Sequence, residues 1–352
     1  MLKNNPVIII SRTDRIGDLI LSIPAIKRTR DMFPEAKIII LVRSYNYDIV
    51  RHLPYVNDIL KIDEYDKNDL IQKVKSYHPD IFIALFTNKN IGKLSRKSGA
   101  SIRIGPLSKF HSYFSYNKGV FQKRSHSVKN EAEYNFDLIK KLDKKRFKQI
   151  HEIDSKIYYS EENKKNIQSF FAEQKINRNY KTIVIHPFSG KSSKNLKIEQ
   201  YRKITQFVLN QKPNYNVIIS CNNTKEKECL RFKEGIDSEY LYLFINKGSI
   251  LDLAALIDTS DLFIGGSTGP THIAGSLQKK IVAFYSKIKT QSTIRWGVFN
   301  NPNVKYIQPD NPCKRKFGCS KKCKFYDCFD RIDLFKVAKE IVQYLENSDK
   351  LM

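Results

Sequence analysis

Cysteine is scarce in this chain, with six in 352 residues, too few for a scaffold stapled by disulfides. No apolar run approaches the ~20 residues that a membrane span needs, and mean hydropathy is −0.46. The start, Met1-Leu2-Lys3-Asn4-Asn5-Pro6, leads into an apolar stretch, Val7–Ile10. That stretch is too short for a secretory signal and no small-residue cleavage site follows, so a cytoplasmic chain is expected. Acidic residues are few: 36 Asp and Glu stand against 62 Lys and Arg, for a formal net charge of +26. Such an excess excludes a neutral surface and points to polyanionic partners: nucleic acid, nucleotide phosphates, anionic lipid or a phosphorylated glycan. No repeat of solenoid period is found. Apolar residues are plentiful at 41%, beside 28% charged, which suffices for two ordinary cores and argues against general disorder.

Continuous apolar runs at Val7–Ile10, Ile38–Val42, Ile59–Ile62, Ile81–Leu85 and Ile102–Ile104 read as buried strands. Stretches of helical spacing, such as Asp69–Ser76 and Asn90–Lys97, lie between several of them. Two charged helical stretches follow, Asn130–Lys148 and Glu161–Gln174, and a polar turn at Asn177–Lys181 marks a boundary. The alternation then resumes. Strands are expected at Thr182–Ile185, Asn216–Ser220, Tyr240–Phe244, Asp261–Ile264 and Ile281–Tyr285, with helices between them. Asp330–Leu345 is a long closing helix. Continuous strands alternating with helices mean parallel sheets covered on both faces. The expected fold class is α/β, with two Rossmann-like doubly wound domains, 1–176 and 177–352, facing across a cleft. Ligands of such sheets bind beyond the carboxyl ends of the strands.

Three strand-to-helix loops carry chemistry. The first, Ser11-Arg12-Thr13-Asp14-Arg15-Ile16-Gly17-Asp18, has one glycine and so lacks the dinucleotide fingerprint. Gly17 is expected to take a backbone conformation closed to other residues, placing Asp18 at the helix N-cap. Asp18 there is either a simple cap or a general base for an acceptor hydroxyl, with Asp14 its rival. The second loop, His186-Pro187-Phe188-Ser189-Gly190-Lys191-Ser192-Ser193-Lys194-Asn195, offers hydroxyls and lysines for phosphate but is not a Walker loop. The third is Gly265-Gly266-Ser267-Thr268-Gly269-Pro270-Thr271-His272. Pro270 suits the first helical position, and the amides of that helix start would meet an anion. His272 either donates to that anion or is a satisfied core histidine.

Together these loops resemble glycosyltransferase family 9, the ADP-heptose:lipopolysaccharide heptosyltransferases. The matching residues are Arg12-x-Asp14-Arg15-Ile16-Gly17-Asp18 with Pro24-Ala25, then His186-Pro187 with Lys194, then Ser267-Thr268-Gly269-Pro270-Thr271-His272-Ile273-Ala274. Order and spacing agree over about residues 7–345. The resemblance implies a GT-B fold, with the acceptor mainly in the N-terminal domain and the donor mainly in the C-terminal one. It implies inverting, metal-independent heptosyl transfer with no cofactor, and the sequence contains no Asp-x-Asp. Asp18 then matches the catalytic base. Lys194, Ser189, Thr268, Gly269 and His272 match donor-phosphate contacts, and Glu226 matches an acid at the donor ribose. Many ADP-heptose users carry aspartate where this chain has Ser267, so Ser267 is a donor contact that leaves the sugar and nucleotide open.

From Ile81 to Asn130 there is no Asp or Glu, and Lys or Arg occurs ten times, interleaved with Phe110, Tyr113, Phe114, Tyr116 and Phe121. This stretch is either a solvated basic face or a surface for a phosphorylated glycolipid at the inner face of the inner membrane. Asp14, Arg15, Lys93, Arg96 and Lys97 are the acceptor-binding candidates, and no specific nucleic acid is expected, since no such motif accompanies the charge. Cys313, Cys319, Cys323 and Cys328 cluster, but not with the paired spacing of common zinc sites, so no metal is assigned. Two rival functions stay open: a GT-B transferase using a UDP- or GDP-linked sugar, and a non-catalytic basic protein that binds nucleotide or nucleic acid.

Overall fold

A computed structural model describes residues 5–189, 193–211, 214–309 and 326–347. The chain divides into two compact units, Met1–Tyr158 and Tyr159–Met352. Unit 1 contains β1 (Val7–Ser11), β2 (Lys37–Val42), β3 (Asp58–Lys61), β4 (Ile81–Ala84) and β5 (Ile102–Ile104). They form one parallel sheet in the order β3-β2-β1-β4-β5. Central β1 is hydrogen-bonded on both edges, Ile9 pairing with Ile39 on one side and Phe82 on the other. Ile8, Ile9 and Ile10 have no exposed surface. Helices on both faces select a continuous β-branched run over an alternating one. The strand order reverses between β1 and β4, so the crevice of this sheet opens just past Ser11 and Ala84.

Unit 2 contains β6 (Lys181–His186), β7 (Tyr215–Asn222), β8 (Leu241–Asn246), β9 (Leu262–Gly266), β10 (Lys280–Phe284) and β11 (Val304–Ile307). This sheet is also parallel, in the order β11-β10-β9-β6-β7-β8. Its crevice lies where β6 meets β9, with His186 in register with Gly265. On one face the helices Ile198–Gln211 and Leu334–Glu346 pack together over the strands, burying Tyr201, Ile204, Val337 and Ile341. Each such aliphatic side chain contributes about 2 kcal/mol when fully buried.

The sequence-based boundary at 176/177 and the observed division at 158/159 differ by one helix. Glu161–Glu173 packs with unit 2. Its Asn163 and Asn166 donate to buried Asp252 at 2.8 and 3.0 Å, Tyr159 donates to Asp258 at 2.5 Å, and Phe170 meets Phe244 edge-on. The charged stretch expected as one helix over 130–148 is two, Glu131–Lys140 and Lys144–Gln149. Asp143 breaks it by capping the second through Lys145 and Arg146 N–H. Arg28 holds this region down, stacked against Phe136 and Phe147 and donating to the Phe147, Ile150 and Glu152 carbonyls. The closing helix begins at Leu334, later than expected, because Asp333 caps it. Helix Phe110–Ser115 and strand β11 were not expected from the sequence.

Candidate active site

At the carboxyl end of β1 the chain places an arginine where the sheet's apolar core stops. Arg12 still bonds the ladder, its N–H donating to Leu41 O, yet its side chain is only 1% exposed. A buried guanidinium must be paired. It donates from Nε to Asp14 at 2.6 Å, from Nη2 to Asp18 at 2.7 Å, and from Nη1 to Glu131 at 3.1 Å and Asn135 at 3.2 Å. Arg124 donates to the same Glu131 oxygen at 2.5 Å. Asn135 in turn donates to Ser22 Oγ and Leu21 O, and Ser22 Oγ donates to Asp18 O. The turn that carries Asp18 is thereby tied to helix Glu131–Lys140.

The electrostatics follow from the count. Two guanidiniums face three carboxylates, so one proton completes neutrality. Burial alone would lower Arg12, but Asp14, Glu131 and Asp18 hold it above its ordinary range. Burial pushes the Asp14 carboxyl up, Arg12 pulls it back, and the charge of Asp18 pushes it up again, to about 7. The carboxyls of Asp14 and Asp18 therefore interact directly within the cluster. Burial and these two carboxylates also raise the phenol of Tyr45, which is half exposed beside them.

Two sequence expectations are corrected here. Asp18 is not the N-cap: helix Ile16–Ile20 starts two residues earlier, with extended Arg15 as its cap residue, and no side chain caps it. Asp18 lies in the first turn, and its side chain accepts from Arg12. Gly17 takes an ordinary helical conformation, outside the positive-φ region. Arg15 is exposed. Lys93, Arg96 and Lys97 are also exposed, on helix Lys89–Lys97, which starts beyond β4. At 1.5 Å per residue its far end lies about 12 Å from its start, so these cations form a stripe leading away from the crevice. Sequence reasoning missed Glu131, Asn135, Arg124 and Tyr45. The only local signal was the capping box at Asn130 and Glu133, which starts the Glu131 helix.

In unit 2 the loops after β6 and β9 converge at the crevice. Ser193 donates to Ser267 O at 2.8 Å, and Lys194 N–H donates to Gln291. The Asn195 side chain lies against the Cα of Gly266, where a Cβ would overlap it. Asn195 accepts from Tyr201 OH at 2.8 Å, while its Nδ2 is buried with no partner among the described residues. Helix Gly269–Ser276 starts earlier than expected, so Pro270 sits at its second position. Thr268 is the cap residue but its hydroxyl caps nothing. Thr271 takes the Gly266 carbonyl, and the first-turn N–H groups have no partner within the helix.

His272 is 5% exposed, its Nδ1 has no partner among the described residues, and burial pushes it down to about 4. The ring is neutral and carries an unmet hydrogen-bonding nitrogen. His186 is likewise pushed down by burial to about 4, but its Nδ1 meets Ser220 Oγ at 3.0 Å. Ser267 bonds the hydroxyl of buried Tyr285, which donates to Trp296 O. Ser189 is half-buried after β6. Glu226 opens helix Glu226–Lys233 past β7, the other neighbour of β6, and faces Lys247 Nζ at 3.6 Å. Cys313, Cys319 and Cys323 lie outside the described residues, and Cys328 is half-buried.

Comparison with known proteins gives this geometry its context. The sequence profile of glycosyltransferase family 9 (heptosyltransferase) matches residues 68–326. A Haemophilus influenzae protein described as a glycosyltransferase is 28% identical over 300 residues, covering 84% of this chain and 86% of its own. The solved family 9 glycosyltransferase of Veillonella parvula superposes with a TM-score of 0.81 at 16% identity, covering 98% of each chain. The ADP-heptose lipopolysaccharide heptosyltransferase II of Escherichia coli superposes with a TM-score of 0.78 at 13% identity, covering 97% of this chain and 99% of that one. The two likenesses extend over both units and show the fold. With most of its length matched by the family profile, the chain belongs to glycosyltransferase family 9, the heptosyltransferases, and is a glycosyltransferase.

Proposed function

We propose that the enzyme transfers a heptose from ADP-heptose to a lipopolysaccharide inner-core acceptor, with inversion and without a metal ion, Asp18 acting as base. The observation that carries this reading is the setting of Asp18. Its carboxylate is partly exposed at the carboxyl end of β1 and is held at 2.7 Å by wholly buried Arg12. A fixed guanidinium keeps the carboxylate aimed, and a positioned carboxylate is what proton abstraction from a sugar hydroxyl requires. The donor and acceptor classes are those in the name of the E. coli relative.

In this mechanism Asp18 takes the proton of the acceptor hydroxyl as its oxygen bonds the anomeric carbon. The bond to the diphosphate breaks on the opposite face. Lys194, the Thr268 hydroxyl, neutral His272 and the first-turn amides of helix Gly269–Ser276 receive the charge that gathers on the leaving group. Preorganised donors of this kind are worth several kcal/mol at the transition state. The unmet nitrogens of His272 and Asn195 are the features expected of a site that waits for an anion. Glu226 is assigned to the donor ribose. Asp14, Arg15, Lys93, Arg96 and Lys97 are assigned to an anionic glycolipid acceptor, which places the enzyme in the cytoplasm, in peripheral contact with the inner face of the inner membrane.

Replacing Asp18 by Asn tests the role of the base. Transfer should fall by 10³-fold or more on the scale of lost general-base catalysis combined with lost charge, while thermal stabilisation by donor nucleotide persists. Undiminished transfer would sink the assignment. One observation favours a second donor reading. Residue 267 is serine, so no carboxylate reaches the donor sugar from this position. A thermal-shift panel of ADP, UDP, GDP and CMP separates the readings, since ligand at 100 times its Kd stabilises by about 2.7 kcal/mol. A selective response to UDP or GDP would move the donor away from ADP-heptose.

A further inference from the structure

Unit 1 carries a built groove away from the Arg12 cluster. Its volume is about 920 Å³. The floor is Leu107 and Val120, fixed by backbone bonds from Leu107 N–H to Val120 O at 2.8 Å and from Val120 N–H to Gly105 O at 2.9 Å. Gly119 lets the floor close, since a Cβ there would overlap Leu107. Tyr113 and Phe121 form aromatic walls. Lys118, Lys140, Lys141 and Lys144 line the rest, and none of the four makes an ion pair among the described residues. The one acid of the groove, Asp137, is taken by Lys129 at 2.9 Å.

The surface beside the groove is apolar in an unusual way. Phe110 is 81% exposed and Phe114 63%, stacked edge-on at 5.3 Å, and Phe121 is 65% exposed. Monomeric soluble surfaces seldom gather such side chains without a partner. The helix that carries Phe110 and Phe114, Phe110–Ser115, packs on helix Lys89–Lys97 at Gly92, where a Cβ would overlap Ser115. That second helix also exposes Lys93, Arg96 and Lys97. A soluble phosphosugar has no use for an apolar floor and protruding phenyl rings. An amphiphile uses both, with its phosphate on the lysines and its glycerol and first methylenes on the floor.

We propose that this groove seats the headgroup of an anionic bilayer phospholipid, with Phe110, Phe114 and Phe121 entering the interfacial layer. The inference rests on the peripheral-membrane reading above and gives that contact its address. The test uses the full chain sedimented with phosphatidylethanolamine vesicles, with and without phosphatidylglycerol. Wild type should bind only the anionic vesicles. Lys140→Ala/Lys141→Ala/Lys144→Ala should bind about 100-fold more weakly, at about 5-fold per lysine. The control Lys67→Ala/Lys73→Ala/Lys75→Ala, on exposed lysines of helix Lys67–Ser76, should bind within 10-fold of wild type.

Equal losses in the two triple variants would overturn the groove and leave only general attraction of a +26 chain. No wild-type binding to either vesicle would overturn the peripheral reading itself. A Phe121→Trp reporter separates lipid from other phosphates. Its fluorescence should be quenched by phosphatidylglycerol brominated on the acyl chain, and the absence of quenching with bound vesicles would refute insertion.

Discussion

Asp14 gives the sharpest test of the buried cluster. Its carboxyl is raised to about 7 in the folded protein, by burial first and by Asp18 second, against Arg12. In the unfolded chain it returns to about 3.9. Between those values the folded state holds a proton that the unfolded state has lost. This stability is full below pH ~4 and drains as pH rises toward 7, at about 1.4 kcal/mol per pH unit and of order 4 kcal/mol in all. Asp14→Asn removes the titration but keeps an oxygen to accept from Arg12 Nε and an N–H to donate to Asp18. Wild type should therefore lose stability relative to the variant as pH goes from 5 to 7. The single tryptophan, Trp296, belongs to unit 2 and reports nothing of this. Hydrogen exchange of β1 peptides, corrected for intrinsic rates, reads unit 1 directly. Parallel pH profiles for the two proteins would mean that Asp14 is ionised throughout and that the cluster carries an uncompensated charge.

Two further substitutions probe the frames of the two sites. Arg28→Ala removes three bonds to carbonyls and two aromatic contacts, and should cost unit 1 about 3 kcal/mol; limited proteolysis within residues 141–152 should accelerate, and an unchanged cleavage rate would refute the anchoring role. Gly266→Ala forces a Cβ into Asn195, which Tyr201 holds in place. It should cost 1–3 kcal/mol and weaken nucleotide binding at least 10-fold by calorimetry, and unaltered affinity would show that the loop moves aside freely.

The sheets were legible because their strands are buried on both faces and read as continuous apolar runs. The Ile8–Ile10 and Ile38–Val42 strands show this. Strand β11 escaped because Val304–Ile307 is half-buried throughout and mixes Val, Lys, Tyr and Ile without a run. Helix Phe110–Ser115 escaped because its aromatics face outward, so no buried stripe announces it. The loop after β9 and the helix start that follows it were legible through the glycines, Pro270 and His272, a purely local pattern. The Arg12 cluster was only half legible. Asp14 and Asp18 lie within six residues of Arg12, but Glu131 reaches it across 119 positions, and no local pattern encodes such a pairing. The misplacement of Asp18 at the N-cap has a similar origin. Arg15 leaves no side-chain cap to read, and Gly17 reads as a break while lying inside the helix.

The placement of helix Glu161–Glu173 bears on how such an enzyme can be recombined. Asp252 is buried and accepts from both Asn163 and Asn166, so this helix belongs with unit 2 in any recombinant. A chimaera joined at 176/177 would take its helix from the other parent and leave Asp252 facing foreign side chains. A junction just before Tyr159 carries the native partners across intact. Exchange of whole units between relatives is therefore best made at a seam of a few residues, set by two asparagine amides.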